Sequence, residues 1–538
     1  MIKKWIAKVS PFLEIAALVT LITIVDFSTN RIHFVIPSAF LPLPIGWMFL
    51  SLISYCALAC SLYVFLGRWF KLLFAGWLMW SVLYLVLAFY LWHVFGMQLC
   101  GELLLTVQAT NSKEVGDFLS DLSIAGVAGF VIGVLSIWMG VRMIRRLPVL
   151  RLTRQRAILG LSGILLFAGC NFLILPMQNS MAQLGYLYWP GLAAWQYHNF
   201  SKVREAVLHP QLPDCIEHED GSERILGVFV IGESATRNHW GCYGYGRNTT
   251  PFLSSMTNDE LFVFKDVVGV SAGTVGALRW LLTDAEVVND QVTATLPSVL
   301  RRAGLQVSYV SNNAYDSERG PLGMLFHDCS EKRILPVANG RGDFSLLPSF
   351  CDSLKKERVA MLLNGQGSHH PFENAYPPAY EVFKPNYNDL ITSNRAETIT
   401  RSINSYDNSV VATDALLNAV INELKRSGRP AFLVYVSDHG ETPAASNWRV
   451  WSDLDLWELP MVIWLSDEYT RRFPDMSARL SDAVNRPLQT DQLFWGLISL
   501  WQIVGVPNYS PERDFTRAGF KDRKIRKIQY GKVVYERR

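Results

Sequence analysis

The sequence predicts a multi-pass α-helical membrane domain with five spans, followed by an α/β domain with a mostly parallel sheet. Five long apolar runs lie at about 11–29, 45–66, 72–95, 122–141 and 157–176. Each is close to the ~20 residues needed to cross the hydrocarbon core of a bilayer. Beyond about residue 222, short apolar runs alternate with amphipathic stretches, as in α/β domains. The predicted parts are a membrane domain, a connector and an outer domain, at 1–176, 177–221 and 222–538.

Composition excludes two broad classes of protein. Of the 538 residues, 50% are hydrophobic and 18% are charged, so the chain is not intrinsically disordered. The net charge of +3 provides no electrostatic case for nucleic-acid binding.

Buried core helices could also explain the apolar runs. Five consecutive helices that are apolar on all sides are nevertheless rare in a soluble protein.

The basic residues predict the orientation in the membrane. Lys and Arg cluster before the first run, between the second and third, and between the fourth and fifth. The two alternate loops carry only Arg31 and Lys113. Because basic loops stay in the cytoplasm, we expect a cytoplasmic N-terminus. Five crossings then place everything after about residue 177 outside the cytoplasm.

The outer domain contains five predicted strands separated by helical patterns. The strands are predicted at 225–231, 306–312, 358–364, 431–437 and 461–466. The main helical patterns lie at 295–304 and about 395–427. Continuous apolar strands that alternate with helices predict a sheet covered on both faces. Ligands of such sheets bind beyond the carboxyl ends of the strands.

The cysteines of the outer domain are Cys215, Cys242, Cys329 and Cys351. Disulfides persist outside the cytoplasm, and four cysteines allow three sets of pairs. Proximity along the chain favours Cys329–Cys351. No CxxC pair is present, so the sequence does not indicate a thiolate zinc site.

Two predicted strands end in ionisable residues. Glu233 follows the strand at 225–231, and Asp438 and His439 follow the strand at 431–437. Strand ends in one parallel sheet meet at one edge, so these side chains could converge on a metal. Asp, Glu and His are ligands for Zn²⁺, and for Mn²⁺ where oxygen dominates. The alternative is an exposed loop after each strand.

Thr274 follows a stretch of small residues and precedes a helical pattern that starts at Val275. Backbone N–H groups at a helix N-terminus favour an anion such as phosphate. A hydroxyl beside a metal becomes a nucleophile. The alternative role for Thr274 is a helix N-cap. Ser271 is the main competing hydroxyl in the preceding loop.

Five segments carry a family resemblance. They are, in order, FVIGESATRNHWGCYGYGRNTTPFL, GTVGALRWLLT, GSHHPF, YDNSVVATD and SDHGE. Together they resemble the phosphoethanolamine transferases of Gram-negative inner membranes, in the alkaline phosphatase and sulfatase superfamily. The resemblance implies an alkaline-phosphatase-like outer domain after five spans. It also implies transfer of phosphoethanolamine from phosphatidylethanolamine to lipopolysaccharide or another envelope glycan.

The resemblance implies roles for individual residues. Glu233, Asp438 and His439 match zinc ligands, and Thr274 matches the threonine that takes up phosphoethanolamine and contacts the metal. Residues matched to substrate binding are His369, Thr110, Glu114, Asn313 and Arg319. His369 matches a histidine near the phosphate or a second zinc. Thr110 and Glu114 would face the lipid head group.

The chain also departs from the lipid A-modifying members of the family. No histidine follows His439, and Ala272 and Trp280 stand where those members carry cysteines. These features resemble the branch that modifies the lipopolysaccharide core. Three other functions stay open: a phosphoglycerol transferase, a phosphodiesterase or sulfatase, and a non-enzymatic membrane protein. Sulfatases need a Cys or Ser that becomes formylglycine, which Thr274 cannot supply.

Overall fold

The computed structural model describes most of the predicted outer domain and three segments of the first 176 residues. The described residues are 10–23, 42–95, 124–174, 207–210, 212–218, 224–288, 291–313, 323–335, 342–386, 395–444, 454–528 and 533–536, with 191, 194, 198 and 204. Contacts divide the chain into two compact units, one within residues 1–196 and the other carrying residues 197–538.

The first unit is mainly helical in its described residues. Its helices are α1 (Ser10–Thr23), α2 (Pro42–Leu66), α3 (Arg68–Phe95), α4 (Ile124–Arg146) and α5 (Arg154–Ile174). Helix α2 packs on α5, and α3 on α4. A β-carbon at Gly163 on α5 would lie 2.2 Å from Oγ of Ser61 on α2, so this glycine lets the two helices approach closely.

The helices fall on the five apolar runs, but one of them meets the length and composition expected of a span. That helix is Arg68–Ala88, within α3, while Ser10–Thr23 and Leu52–Leu66 are shorter apolar helices. This count of one applies to the described residues. The prediction of five spans is therefore not confirmed and stays a prediction.

The second unit is an α/β domain. Its strands are β1 (Glu217–His218), β2 (Leu226–Gly232), β3 (Leu261–Val263), β4 (Val267–Val268), β5 (Gln306–Ser311), β6 (Glu331–Ile334), β7 (Val359–Asn364), β8 (Ala431–Ser437), β9 (Met461–Leu465), β10 (Leu488–Gln489), β11 (Ile503–Val504), β12 (Ile525–Ile528) and β13 (Val533–Glu536). Its helices are α6 (Pro251–Ser255), α7 (Thr274–Leu282), α8 (Leu296–Arg302), α9 (Leu347–Leu354), α10 (Arg395–Arg426), α11 (Asp467–Arg472), α12 (Pro474–Ala483) and α13 (Leu493–Leu500).

Seven strands form the central sheet, in the order β3-β9-β8-β2-β7-β5-β6. All five predicted strands are present within a residue or two of their expected bounds. The sheet is mixed rather than simply parallel, because β9 pairs antiparallel with both β8 and β3. The part of the β8–β9 connection that the structure describes contains only the short 3-10 turn Leu454–Leu456. A parallel return needs a long crossover, usually a helix, to bring the chain back to the starting edge.

Helices cover both faces of this sheet, as predicted. Alternate residues of β2 point to opposite sides: Phe229 and Ile231 pack with residues of α7, α8 and α13. Val228 and Val230 pack with Tyr406 and other residues of α10. Burial on both faces explains why the central strands are apolar at every position.

The predicted Cys329–Cys351 disulfide is wrong. Neither cysteine forms a disulfide, and nor do the other cysteines that the structure describes. Cys329 belongs to the core on the α7 face, whereas Cys351 packs against the core on the α10 face. The sheet therefore separates two residues that are near each other in sequence.

Candidate metal centre and nucleophile

Three predicted ligands meet at the carboxyl edge of the sheet. Glu233 follows β2 directly, and Asp438 and His439 follow β8, with Gly232 and Ser437 paired in register. One potential ligand atom from each residue lies within 4.8 Å of the others. All three side chains are buried. The exposed-loop alternative is thereby excluded at both strand ends.

The hydrogen bonds of Asp438 leave one oxygen for another partner. Its Oδ1 accepts from the backbone N–H of Ser234 at 3.1 Å and of His439 at 2.6 Å. Its Oδ2 is buried with no hydrogen-bond partner. A buried carboxylate oxygen without a hydrogen-bond partner lowers the stability of the folded state, and a bound cation would offset that loss. The residues therefore fit a metal ion.

The ring of His439 is oriented so that Nε2 faces the two carboxylates. Its Nδ1 lies 2.7 Å from the carbonyl oxygen of Gly440. A carbonyl can only accept, so Nδ1 carries a proton and Nε2 is the ring nitrogen that can bind a metal. Nε2 faces the carboxylate of Glu233, 3.2 Å from Oε1. This arrangement is typical of a histidine that ligates zinc.

The two carboxylates differ in their proton affinity. Burial would raise the pKa of Glu233, but hydrogen bonding to His439, with the charges of His439 and His369, lowers the pKa to about 2. Burial, and then the charge of Glu233, raise the pKa of Asp438 to about 7. Two buried acids this close cannot both ionise easily without a compensating cation.

Thr274 lies directly against this group. Its hydroxyl is 3.1 Å and 3.2 Å from the two carboxylate oxygens of Glu233, and 3.4 Å from Nε2 of His439. Helix α7 begins at Thr274 itself, and Gly273 is the N-cap. The N-cap role considered for Thr274 is therefore wrong. The residue is half-buried, so an incoming group can reach its hydroxyl.

The competing hydroxyl of Ser271 is turned to the backbone. It donates to the carbonyl of Gly273 at 3.1 Å and accepts from the N–H of Gly273 at 3.2 Å. Ser271 is also buried. These bonds make it part of the loop that leads into α7, and Thr274 is the better-placed nucleophile of the two.

The predicted substrate-binding residues have different outcomes. His369 is half-buried and its charge lowers the pKa of Glu233, so it lies near the three candidate metal ligands. Asn313 is buried two residues after β5, which is two strands from β2 in the sheet. Thr110, Glu114 and Arg319 lie outside the described residues.

The loop that carries His369 is held by an acid that sequence reasoning missed. The carboxylate of Asp343 accepts from the N–H of Gln366 at 2.7 Å and of Gly367 at 2.8 Å. The N–H of Ser368 donates to the carbonyl of Glu233 at 2.9 Å. Asp343 is distant in sequence from Glu233 and from the loop that carries His369, so no motif spacing could have identified it.

The family model described as Sulfatase matches residues 226–494. This span is half of the chain and contains Glu233, Thr274, Asp438 and His439. The chain belongs to the sulfatase family. The superfamily inferred from the motifs is therefore confirmed. Membership by itself does not define the reaction, because one fold supports several chemistries.

Curated relatives of this sulfatase-family chain are phosphoethanolamine transferases. It is 25% identical over 488 residues to EptC of Escherichia coli O18:K1:H7, which covers 83% of this chain and 82% of that protein. It is 32% identical over 223 residues to EptA of Helicobacter pylori, and this match spans only 42% of that relative. The resemblance seen in the motifs thus extends to named members of that group.

Solved structures show the same fold. Lipooligosaccharide phosphoethanolamine transferase A of Neisseria meningitidis, an integral membrane protein, matches with a TM-score of 0.67 at 21% identity, over 93% of this chain and 98% of that one. The periplasmic domain of E. coli EptC in complex with Zn matches with a TM-score of 0.53 at 24% identity, over 59% of this chain and 92% of that one. The second unit therefore has the expected alkaline-phosphatase-like fold.

Proposed function

We propose that this protein transfers phosphoethanolamine from phosphatidylethanolamine to lipopolysaccharide, at lipid A or the core, or to another envelope glycan. The observation that carries the proposal is the Thr274 hydroxyl, held 3.1 Å from Glu233 at the N-terminus of α7. The names of the relatives support the group transferred, and the lipooligosaccharide enzyme of N. meningitidis supports the class of acceptor.

The metal proposed for this site is zinc. Glu233, Asp438 and His439 would hold it, because they supply buried oxygen and nitrogen donors within 4.8 Å of one another. The zinc complex of the E. coli EptC domain supports this choice. A bound zinc ion supplies positive charge that favours the deprotonated Thr274 oxygen and stabilises phosphoryl oxygens. Thr274 lies close enough to be a further ligand.

The first half of the reaction forms a covalent intermediate on Thr274. The hydroxyl loses its proton, and its oxygen bonds to the phosphorus of the lipid. The bond from phosphorus to the glycerol oxygen breaks, and diacylglycerol leaves after that oxygen takes up the proton that Thr274 released. Backbone N–H groups in the first turn of α7 point toward the incoming phosphate, where the helix dipole also favours negative charge.

The second half of the reaction releases the group to the acceptor. A hydroxyl or phosphate oxygen of the glycan attacks phosphorus, and the bond to Thr274 breaks. The Thr274 oxygen takes up a proton, which an acceptor hydroxyl releases and a phosphate acceptor leaves to the solvent, so the threonine hydroxyl is restored. His369 lies near enough to Glu233 to influence its pKa, and is proposed to bind the phosphate. Asn313 and Arg319 are proposed to bind the same phosphate, and Thr110 and Glu114 the lipid head group.

A lipid donor requires that the protein be in a membrane. Large apolar side chains on the first unit are exposed, including Leu72 at 66%, Ile132 at 63% and Leu165 at 72%. Soluble proteins rarely expose apolar surface on this scale. We therefore propose a five-span protein of the bacterial inner membrane, with the catalytic domain in the periplasm. The likeness to an integral membrane relative supports this arrangement.

Lipid analysis of cells with and without the protein tests the function. Expression should produce lipopolysaccharide heavier by one phosphoethanolamine group, together with diacylglycerol derived from phosphatidylethanolamine. Expression of Thr274→Ala should produce neither. The purified full-length protein should use phosphatidylethanolamine rather than phosphatidylglycerol. A preference for phosphatidylglycerol, or hydrolysis without transfer, would replace this proposal with one of the alternative activities.

A further inference from the structure

Ser234 contacts both carboxylates among the three candidate metal ligands, and it is itself held by a residue of another helix. Its hydroxyl donates to Oε1 of Glu233 at 2.8 Å, and its backbone N–H donates to Oδ1 of Asp438 at 3.1 Å. Its carbonyl accepts from the hydroxyl of Tyr406 at 3.0 Å. One residue therefore contacts both carboxylates, although they follow different strands and are 205 positions apart in the sequence.

The backbone of Ser234 has an unusual conformation that makes these contacts possible. Its φ angle is 56°, in the left-handed region that non-glycine residues rarely adopt. The side chain is fully buried. A strained conformation of this kind persists only where the surroundings enforce it, and such conformations cluster at functional sites.

The surroundings of Ser234 come from the long helix α10. Tyr406 is fully buried, and its hydroxyl bonds Ser234 on one side and accepts from the N–H of Thr236 at 2.8 Å on the other. The ring packs edge-on against Phe372 and His239. Tyr406 therefore holds the turn after β2 at two points, Ser234 and Thr236.

The hydrogen bonds of Ser234 determine how the two carboxylates are oriented. Ser234 occupies Oδ1 of Asp438, and Oδ2 of that carboxylate has no hydrogen-bond partner. Ser234 also donates to Oε1 of Glu233, and both oxygens of that carboxylate face Thr274, at 3.2 Å and 3.1 Å. Ser234 thus fixes the orientation of both carboxylates, and Asp438 presents its Oδ2 to the site where a metal would bind.

We propose that Ser234 is a positioning residue for the metal centre, which orients Glu233 and Asp438 together and is held in place by Tyr406. The inference depends on the proposed zinc site. Partners of metal ligands that do not touch the metal commonly change affinity ~10- to 100-fold when they are removed. Ser234 is expected to act in this range although it is not itself a ligand.

The test is a direct measurement of zinc affinity by competition with a chelator dye, on the full-length protein in detergent. Ser234→Gly removes the hydroxyl but accepts the left-handed backbone without strain. Ser234→Ala removes the same hydroxyl and keeps the strain. Both should weaken zinc binding by ~10-fold or more. Ser234→Gly should do so without the loss of thermal stability expected for Ser234→Ala.

The matched control is Ser308→Ala. Ser308 is a buried serine of the same sheet, whose hydroxyl is 2.8 Å from the hydroxyl of Ser353. This variant should lose stability while its zinc affinity is unchanged. Tyr406→Phe should weaken zinc binding, because it removes the bond to the carbonyl of Ser234.

The outcomes separate the positioning role from a merely structural one. If zinc affinity follows thermal stability across the four variants, or if Ser234→Gly binds zinc as tightly as the wild type, the proposal is wrong. Failure of the wild-type chain to bind zinc would overturn the metal site itself, and the role of Ser234 with it. Tight zinc binding by a wild type that transfers no phosphoethanolamine would reject the proposed reaction but not the role of Ser234.

Discussion

Gly367 packs so closely against Glu233 that no side chain fits between them. A β-carbon on Gly367 would lie 2.6 Å from the carbonyl oxygen of Glu233 and 2.8 Å from its backbone nitrogen. The φ angle of Gly367 is 49°, which also favours glycine. The loop that carries His369 is thereby held against the strand end that carries the proposed zinc ligand.

Gly367→Ala should displace this loop and disturb the metal centre. The left-handed backbone alone costs ~1–2 kcal/mol for a residue with a β-carbon, and the clash adds to it. We expect a clear drop in zinc affinity and transferase activity. Gly428→Ala is the control, because Gly428 has a φ of 62° and nothing within 4 Å of its β-carbon position. Equal effects of the two variants on zinc affinity would contradict this interpretation.

The covalent step can be located by mass spectrometry. Thr274→Ala should bind zinc but form no adduct with phosphatidylethanolamine, because the attacking oxygen is gone. Ser271→Ala should keep most of its turnover, since the Ser271 hydroxyl is bonded to Gly273. Peptide mapping of the wild type should place the phosphoethanolamine on Thr274. An adduct on Ser271, or an active Thr274→Ala protein, would overturn the assignment.

Removal of the metal or of a ligand should abolish activity without unfolding the protein. We expect chelation to stop transfer and added zinc to restore it. Glu233→Ala and His439→Ala should each lose most of the bound zinc, because each removes one of few ligands. Zinc content by elemental analysis, together with circular dichroism, measures both effects. Unchanged zinc content in either variant would show that the site is misassigned.

Asp414 should make folding stability depend on pH. Its carboxylate caps α6 by accepting from the N–H groups of Phe252 and Leu253, yet burial raises its pKa from 3.8 to about 6. Between these values the folded state binds more protons than the unfolded state, so stability falls as pH rises. The effect amounts to at most ~3 kcal/mol. Asp414→Asn should remove it, and identical pH profiles of thermal unfolding for both proteins would refute it.

The proposed topology predicts where a C-terminal reporter is active. An alkaline phosphatase fused after Arg538 should be active, because that enzyme requires export. A fluorescent protein that folds only in the cytoplasm should be dark at the same position. The reverse pattern would rule out the five-span arrangement and a periplasmic site.

The sequence by itself determined the α/β class, the five long central strands and the four residues at the centre of the site. Strands buried on both faces must be apolar at every position, so they stand out without any structure. Glu233, Asp438 and His439 were recognisable because each directly follows such a strand. Local signals of this kind survive in the sequence because they involve neighbouring residues.

Tertiary structure decided everything that depends on residues distant in the chain. The reversal of β9 makes the sheet mixed, and only strand pairing reveals it. The same sheet separates Cys329 from Cys351. Ser234 lies within the first of the five family motifs. Its contact with Asp438 nevertheless depends on a left-handed φ angle and on Tyr406, which belongs to the distant helix α10. Hydrogen bonds across the sheet leave no periodic pattern in the sequence, because they are made only after the strands have paired.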